Sequence, residues 1–309
     1  MSNGVPKRWY RKKRYQIPVA ALIILLVISF FPTLQTPLSA NQVRLNRAVD
    51  YFANTYDAKV GLIPETPGSQ RFWLYSDNYL SALALSRYGS GNQSTSGFAS
   101  AIDAAVVGYG STLPAGLLTS QYTALNSTTA SFDCSANYVI SWASGGALVP
   151  GNGSAAVMTT SNDQGSSCGS RNYADLLLLQ AVYNHRLGNG SAALSYYQMA
   201  AKDFDGTGFV DLANSSQSGT RVYQTYKVAL YVYATYCLGE QAGASNLATA
   251  ERTMLYMQSN STGGFATTYE GTLTSLNSPA VTASSGANTE TTALAALAIE
   301  LMINPSSSC

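Results

Sequence analysis

From residue 42 onward the chain alternates two apolar patterns. In the first, apolar residues recur three and four apart: Leu45, Ala48, Val49 and Phe52; then Phe98, Ala101, Ile102, Ala105, Val106 and Tyr109; then Leu194, Tyr197, Ala201 and Phe204; and last Leu247, Ala250, Met254 and Met257. That spacing predicts helices with one buried stripe. The second pattern is apolar on nearly every face, over 78–88, 172–187, 222–238 and 288–302. A helix without a broad polar face has to be covered all round. The two kinds alternate four times, with Gly61-Leu62, Gly116-Leu117, Gly208-Phe209 and Gly264-Phe265 between them. Glycine suits the left-handed residue that ends a helix. The pattern therefore predicts four hairpins, each an outer helix, a glycine turn, an extended polar and aromatic loop, and an inner helix.

The loops differ in length. In the first unit Pro64 and Pro67 hold the chain extended up to the aromatic run Phe72, Trp73, Tyr75, and Asp77 or Asn78 caps the inner helix. In the second unit about 55 residues separate the turn at Gly116 from the inner helix at Asn172, a length uncommon unless the segment is functional or folded in itself. Tyr138 to Trp142 and Ala155 to Thr160 alternate around the turn-rich Gly145 to Gly153, so a small β-ribbon is expected within an insertion at about 119–171. The fourth loop is Ser/Thr-rich after Tyr269 and Glu270.

The first 41 residues read differently. Lys7, Arg8, Arg11, Lys12, Lys13 and Arg14 precede an apolar run at 17–34, and no acidic residue occurs before Asp50. The positive-inside rule then leaves a basic tail, 1–16, in the cytoplasm, and exports everything beyond a linker at 35–41. Eighteen apolar residues suit either an uncleaved signal anchor or the core of a removed signal peptide. An anchor would make the membrane the chain's first partner and the 42–309 domain extracytoplasmic. Beyond the tail, 11 Lys and Arg face 16 Asp and Glu, a net of about −5. A mildly acidic domain without a basic stripe argues against nucleic acid as a partner.

Export agrees with two further features. Asn92, Asn126, Asn152, Asn189, Asn214 and Asn260 each begin an N-x-S/T acceptor sequence. The four cysteines lack metal-ligand spacing and suit disulfides, Cys134 with Cys168 at the base of the insertion and Cys237 with Cys309 at the C-terminus. No cofactor is required by the sequence. Calcium has one candidate loop, where Asp203, Asp205, Thr207 and Asp211 follow part of a calcium-loop pattern, although Asn214 stands where a bidentate Glu belongs. The alternative is a plain acidic turn of the repeat.

Taken with the GLIPE, GFVD and GGFATTYE turns and the WLYSDN and NTETTALAAL helix starts, the alternation over residues 42–303 resembles the α/α-toroid proteins, the six-hairpin glycosidase-like group in particular. The resemblance implies a mainly α fold, an α/α-hairpin toroid of inner and outer helices, here with four hairpins instead of six and a small β insertion. It also implies that the turns before the inner helices gather at one end of the ring. Glu65, Asp77, Asp175, Asp211, Glu270 and Glu290 would meet there, with Arg71, Trp73, Tyr75, Tyr173, Tyr223, Tyr226 and Tyr269. Aromatic faces beside carboxylates suit a sugar: rings stack on its C–H faces, and two acids flanking a glycosidic bond protonate the leaving oxygen and activate water or attack directly. Asp77, Glu290, Glu65, Glu270 and Asp175 are the catalytic candidates; Arg71, Trp73, Tyr75, Tyr173, Tyr226 and Tyr269 are the binding ones. Lys227, inside an apolar helix, is expected to pair with a carboxylate of the cleft. The expectation is a membrane-anchored, hydrolase-like protein acting on a glycan or cell-surface polymer. The alternative is a non-catalytic glycan-binding or assembly subunit, alone, as a homo-oligomer or with a surface partner.

Overall fold

A computed structural model of the chain describes residues 38–69, 73–88, 93–110, 121–128, 130, 132, 138–141, 156–159, 170–215, 221–242, 246–275, 278–305 and 309. The expected span at 17–34, Arg71, Gly116-Leu117, Asn92, Asn152, Cys134 and Cys168 lie outside them. Among the described residues no helix is long and apolar enough to cross a membrane.

The described residues are mainly helical, with two small antiparallel sheets. The long helices are α1 (Ala40–Thr55), α2 (Tyr75–Tyr88), α3 (Gln93–Gly110), α4 (Ala174–Arg186), α5 (Gly190–Ala201), α7 (Thr225–Leu238), α8 (Leu247–Tyr256) and α9 (Thr289–Ile303); α6 (Leu212–Ser215) is a single turn. Burial follows the two sequence patterns. In α1 only Leu45, Ala48, Tyr51 and Phe52 are buried, one stripe, whereas in α9 every residue from Thr291 to Leu301 is.

The partners of the outer helices differ from the expected hairpins. α3 packs on α2, α5 on α4 and α8 on α7, so the tight pair is an inner helix and the outer helix that follows it. Connection length explains this: only Leu187 to Asn189 join α4 to α5, and short links make antiparallel neighbours. The long loops run from each outer helix to the next inner one. α1 has no inner helix before it and packs on α9, the last. The inner helices touch in the order α2, α9, α7, α4, and a 3-10 turn, Gln121–Leu125, packs on both α4 and α2.

The outer helices end in β-bridged turns, Asp57 with Leu62, Phe204 with Phe209 and Gln258 with Phe265. The left-handed residues are Gly61, Gly206 and Gly263. Gly208 and Gly264, expected in that role, are instead glycine for lack of room. A Cβ at Gly208 would lie 2.4 Å from Tyr223 Cδ1, and one at Gly264 would lie 2.5 Å from the Tyr51 ring.

The expected ribbon is present as β2 (Tyr138–Ser141) and β3 (Ala156–Thr159), paired Tyr138 to Thr159, and β1 (Trp73–Leu74) adds to its edge with Trp73 opposite Ile140. A second sheet lies where a Ser/Thr-rich loop was expected. β5 (Thr268–Ser275) and β6 (Ser278–Ala283) form a hairpin, and β4 (Val222–Gln224), read from sequence as the start of an inner helix, pairs with β5. The order of elements therefore repeats once. Outer helix, strand, inner helix, outer helix, hairpin, inner helix describes α1 to α4 and, with α6 inserted, α5 to α9. In both halves the strand that leads into an inner helix pairs with the hairpin inserted before the next one.

Cys237 and Cys309 form the expected disulfide, tying the end of α7 to the C-terminus. Arg186 fastens the same corner, its guanidinium donating to the Cys309 carbonyl.

Candidate active site

The acids sit at the starts of the inner helices. Asp175 is the second residue of α4 and Glu290 the second of α9, equivalent places in the two halves. Asp77 is the third residue of α2 and Lys227 the third of α7, again equivalent. The internal repeat thus places two carboxylates at matching positions and gives one an acidic neighbour and the other a basic one.

α9 is held where it starts by several bonds. The Asn288 side chain accepts the Thr291 amide at 2.9 Å as an N-cap, the Thr289 hydroxyl donates to the Pro64 carbonyl and the Thr289 amide to the Glu65 carbonyl at 2.9 Å. Residues 64–65 and the helix start are thereby fixed to each other, with Glu290 next in line. Asp77, expected as an N-cap, is not one. Asn78 makes the local contacts instead, accepting the Ile63 amide and donating to the Ile63 and Leu74 carbonyls. Asp77 is fully buried, its Oδ1 accepting from the Ser76 hydroxyl and its Oδ2 meeting no donor among the described residues.

Burial, then the negative charges of Glu290 and Glu65, push the Asp77 carboxyl well above its ordinary range. Glu290 is half-buried. Its carboxyl is pushed from 4.5 up to about 7 by burial, against a hydrogen bond from Tyr122 and with the charges of Asp175 and Glu65 adding to the rise. Tyr122, on the 3-10 turn, donates to Glu290 Oε1 at 2.5 Å. This tyrosine was not among the sequence candidates; the signal available was an aromatic in the loop between a glycine turn and an inner helix, the place Trp73 and Tyr269 hold in other units.

Asp175, also half-buried, is raised by burial, but the Lys227 ammonium pulls it back, as do the nearby amides of Asp175 and Leu176. Tyr226, half-buried beside it, points its hydroxyl at Asp175 Oδ2 from 3.5 Å. Burial and the charges of Asp175 and Glu290 both raise the Tyr226 phenol, so the two acids act on one ring.

Lys227 is buried and pairs as expected, with Asp211 Oδ2 at 2.5 Å. The same oxygen accepts the Ala174 amide, so Asp211 caps α4 from a distance, while Oδ1 accepts the Ala213 amide. Both oxygens of Asp211 therefore accept from the protein itself. Asp205 is likewise occupied, by the Thr207 and Gly208 amides, Arg221 and the Tyr223 hydroxyl. Asp203 is half-buried and Thr207 buried, its carbonyl accepting from Tyr269. Among the described residues no group of three or more His, Cys, Asp or Glu is arranged to hold a metal ion.

The remaining candidates divide. Glu65 is half-buried and acts on both Asp77 and Glu290. Glu270 stands within β5, opposite Val222 and Thr282, instead of at a helix start. Trp73 and Tyr269 are fully buried, the latter stacked on Tyr223, so both fill the core and neither offers a face to a sugar. Tyr75 packs on Tyr79 and lies near Asp103 of α3, and Tyr173 is the half-buried residue before α4. Of the glycosylation candidates, Asn126, Asn189 and Asn260 are exposed; Asn214 falls in α6.

Glu290, Asp175 and Glu65 with Tyr226 and Tyr122 are therefore the groups brought together, with Glu290 and Glu65 also acting on buried Asp77, and Lys227 and Asp211 acting on Asp175. No protein-family model matches the chain, and neither a curated protein nor a solved structure does.

Proposed function

We propose that the chain is a membrane-anchored, extracytoplasmic carbohydrate-active protein of the glycoside hydrolase type, with Glu290 as proton donor and Asp175 as base or nucleophile. The observation that carries this reading is the unequal pair. Two carboxylates hold equivalent places in the two halves, one beside buried Asp77 and the other beside buried Lys227. Burial raises both carboxyls, but the Lys227 ammonium pulls Asp175 back and no cation among the described residues does so for Glu290; unequal environments are how one carboxyl keeps its proton at neutral pH while its partner stays ionised. Glu290, at about 7, would protonate the glycosidic oxygen. The Asp175 carboxylate would then activate water or attack the anomeric carbon.

The toroid reading of the fold is supported by the succession of inner helices and by α1 packing on α9, which brings the first element against the last. The anchor rests on the apolar run at 17–34 behind six basic residues, and the extracytoplasmic side on that charge order and the Cys237–Cys309 disulfide.

A second reading, a non-catalytic glycan-binding or assembly subunit, is favoured by the Tyr122 hydroxyl bonded to Glu290 and by the complete burial of Asp77. Reducing-end release from a panel of polysaccharides by the full-length protein separates the two. Glu290→Gln is expected to lower release about a hundredfold or more while binding persists. Release unaffected by that substitution would contradict the assignment, and binding without release would establish the second reading.

A further inference from the structure

A groove of about 650 Å³, within the size range of ligand sites, has a lining that runs from Thr66, next in sequence to Glu65, to Ala287, shortly before Glu290. It begins at Thr66 and Pro67, immediately after half-buried Glu65, and continues between the end of α8 and the loop that leads from β6 to α9. Its lining contains no charged side chain. Met257, Ala266 and Ala287 form apolar ground, and Tyr256, in the last turn of α8, is 56% exposed at its edge. That exposure is unusual here, because Met254 and Met257 on the buried side of the same helix are at most 2% exposed. Around the ring stand the exposed hydroxyls of Thr66, Thr262 and Ser285. Thr262 Oγ1 accepts the Gly264 amide, and Ser285 Oγ accepts the Thr268 amide and donates to the Gly286 carbonyl. A hydroxyl has one donor and two acceptor sites, so Thr262 keeps its O–H and both keep an acceptor lone pair for a ligand.

We propose that this groove is a binding subsite for an uncharged stretch of glycan, which stacks on Tyr256 and leads its chain past Pro67 to the acids at Glu65 and Glu290. The inference rests on the carbohydrate reading of those acids and adds the ligand's charge class and direction. An aromatic face set among apolar ground and hydroxyls matches the C–H faces and hydroxyls of a neutral sugar. A uronate would find no cation in the lining to pair with, so its desolvation would go uncompensated. Among the described residues no carboxylate lines the groove, so short glycans that reach only the acids gain nothing from it.

The test uses the full-length protein in a detergent without a sugar headgroup, on an array of neutral and uronate-bearing oligosaccharides from disaccharide to hexasaccharide. Wild type is compared with Tyr256→Ala and Tyr256→Phe, exposed substitutions checked by unchanged thermal unfolding. The expected result is neutral hits that tighten with length, weakened about tenfold or more by Tyr256→Ala for the longer glycans and retained by Tyr256→Phe. Hits insensitive to Tyr256→Ala, with release from the same glycans still lowered by Glu290→Gln, would overturn the groove and leave the reading of the acids standing. Hits confined to uronates would overturn the groove's charge class, and an array silent for wild type would overturn both the groove and the carbohydrate reading.

Discussion

Single residues decide both the chemistry and the tightness of this fold. Glu290 illustrates the first. Its carboxyl titrates at about 7 in the native protein against 4.5 for an unperturbed one, so the native state binds the extra proton between those values. The stability tied to this proton is complete below about 4.5 and is lost as the pH rises through about 7. Denaturant unfolding of wild type and Glu290→Gln, compared across that interval, should show the wild type losing on the order of 3 kcal/mol relative to the variant. Parallel pH profiles would refute the raised carboxyl. Gly264 illustrates the second. An alanine there would place its Cβ 2.5 Å from the Tyr51 ring and 2.8 Å from Ala287 Cβ, and crowding of this kind destabilises by about 1–3 kcal/mol. Gly97, in α3 with nothing within 4 Å of an added Cβ, should instead gain up to about 1 kcal/mol as alanine. Equal midpoints in urea for the two variants would show that lack of room is not what keeps Gly264. From sequence Gly264 reads as a helix-ending glycine, because close approach of a distant ring leaves no local signal.

Whole elements were legible in proportion to the length of their periodicity. α1 was expected from Gln42 to Tyr56 and runs Ala40–Thr55. The short strands β2 and β3 could be read because apolar alternation was bracketed by glycine turns. β4 was not, since Val222-Tyr223-Gln224 continues directly into the apolar run of α7 and only its partner β5 sets it apart. β5 and β6 were hidden by composition: Thr and Ser serve equally in loops and in strands exposed on one face. The disulfide was legible through the even cysteine count, and its mechanical role follows from where it sits. It closes a loop over a sequence separation of 72, from the end of α7 across α8, the second sheet and α9. Chain-entropy arguments give such a link about 4 kcal/mol. Reduction should therefore lower the thermal midpoint markedly, and calorimetry with and without reductant measures it. An unchanged midpoint would mean that Arg186 and the packing of α9 already hold the C-terminus as firmly.

At the scale of the molecule, the sequence announced a fourfold alternation of helices, and the structure resolves it into two similar halves. That was hidden because the evidence lies in pairing: each strand entering an inner helix joins a hairpin inserted after the following outer helix. The same hidden relation carries the function. Glu290 and Asp175 were both among the candidate acids, but nothing local said that they are counterparts, or that Lys227 pulls one of them back while burial, Asp175 and Glu65 raise the other. Glu65 joins them because the Pro64 and Glu65 carbonyls accept from Thr289, across more than two hundred residues of chain. The acids thus report on whether the two halves meet as described. The central claim is that this meeting keeps Glu290 protonated near neutral pH, and the most direct measurement is its carboxyl titration by carbon NMR, assigned by the signal missing in Glu290→Gln. The account predicts a midpoint near 7, lowered in part by Asp175→Asn, which removes one of the charges that raise it. A wild-type midpoint near 4.5 would contradict it, because such a carboxylate is ionised at neutral pH and has no proton to give.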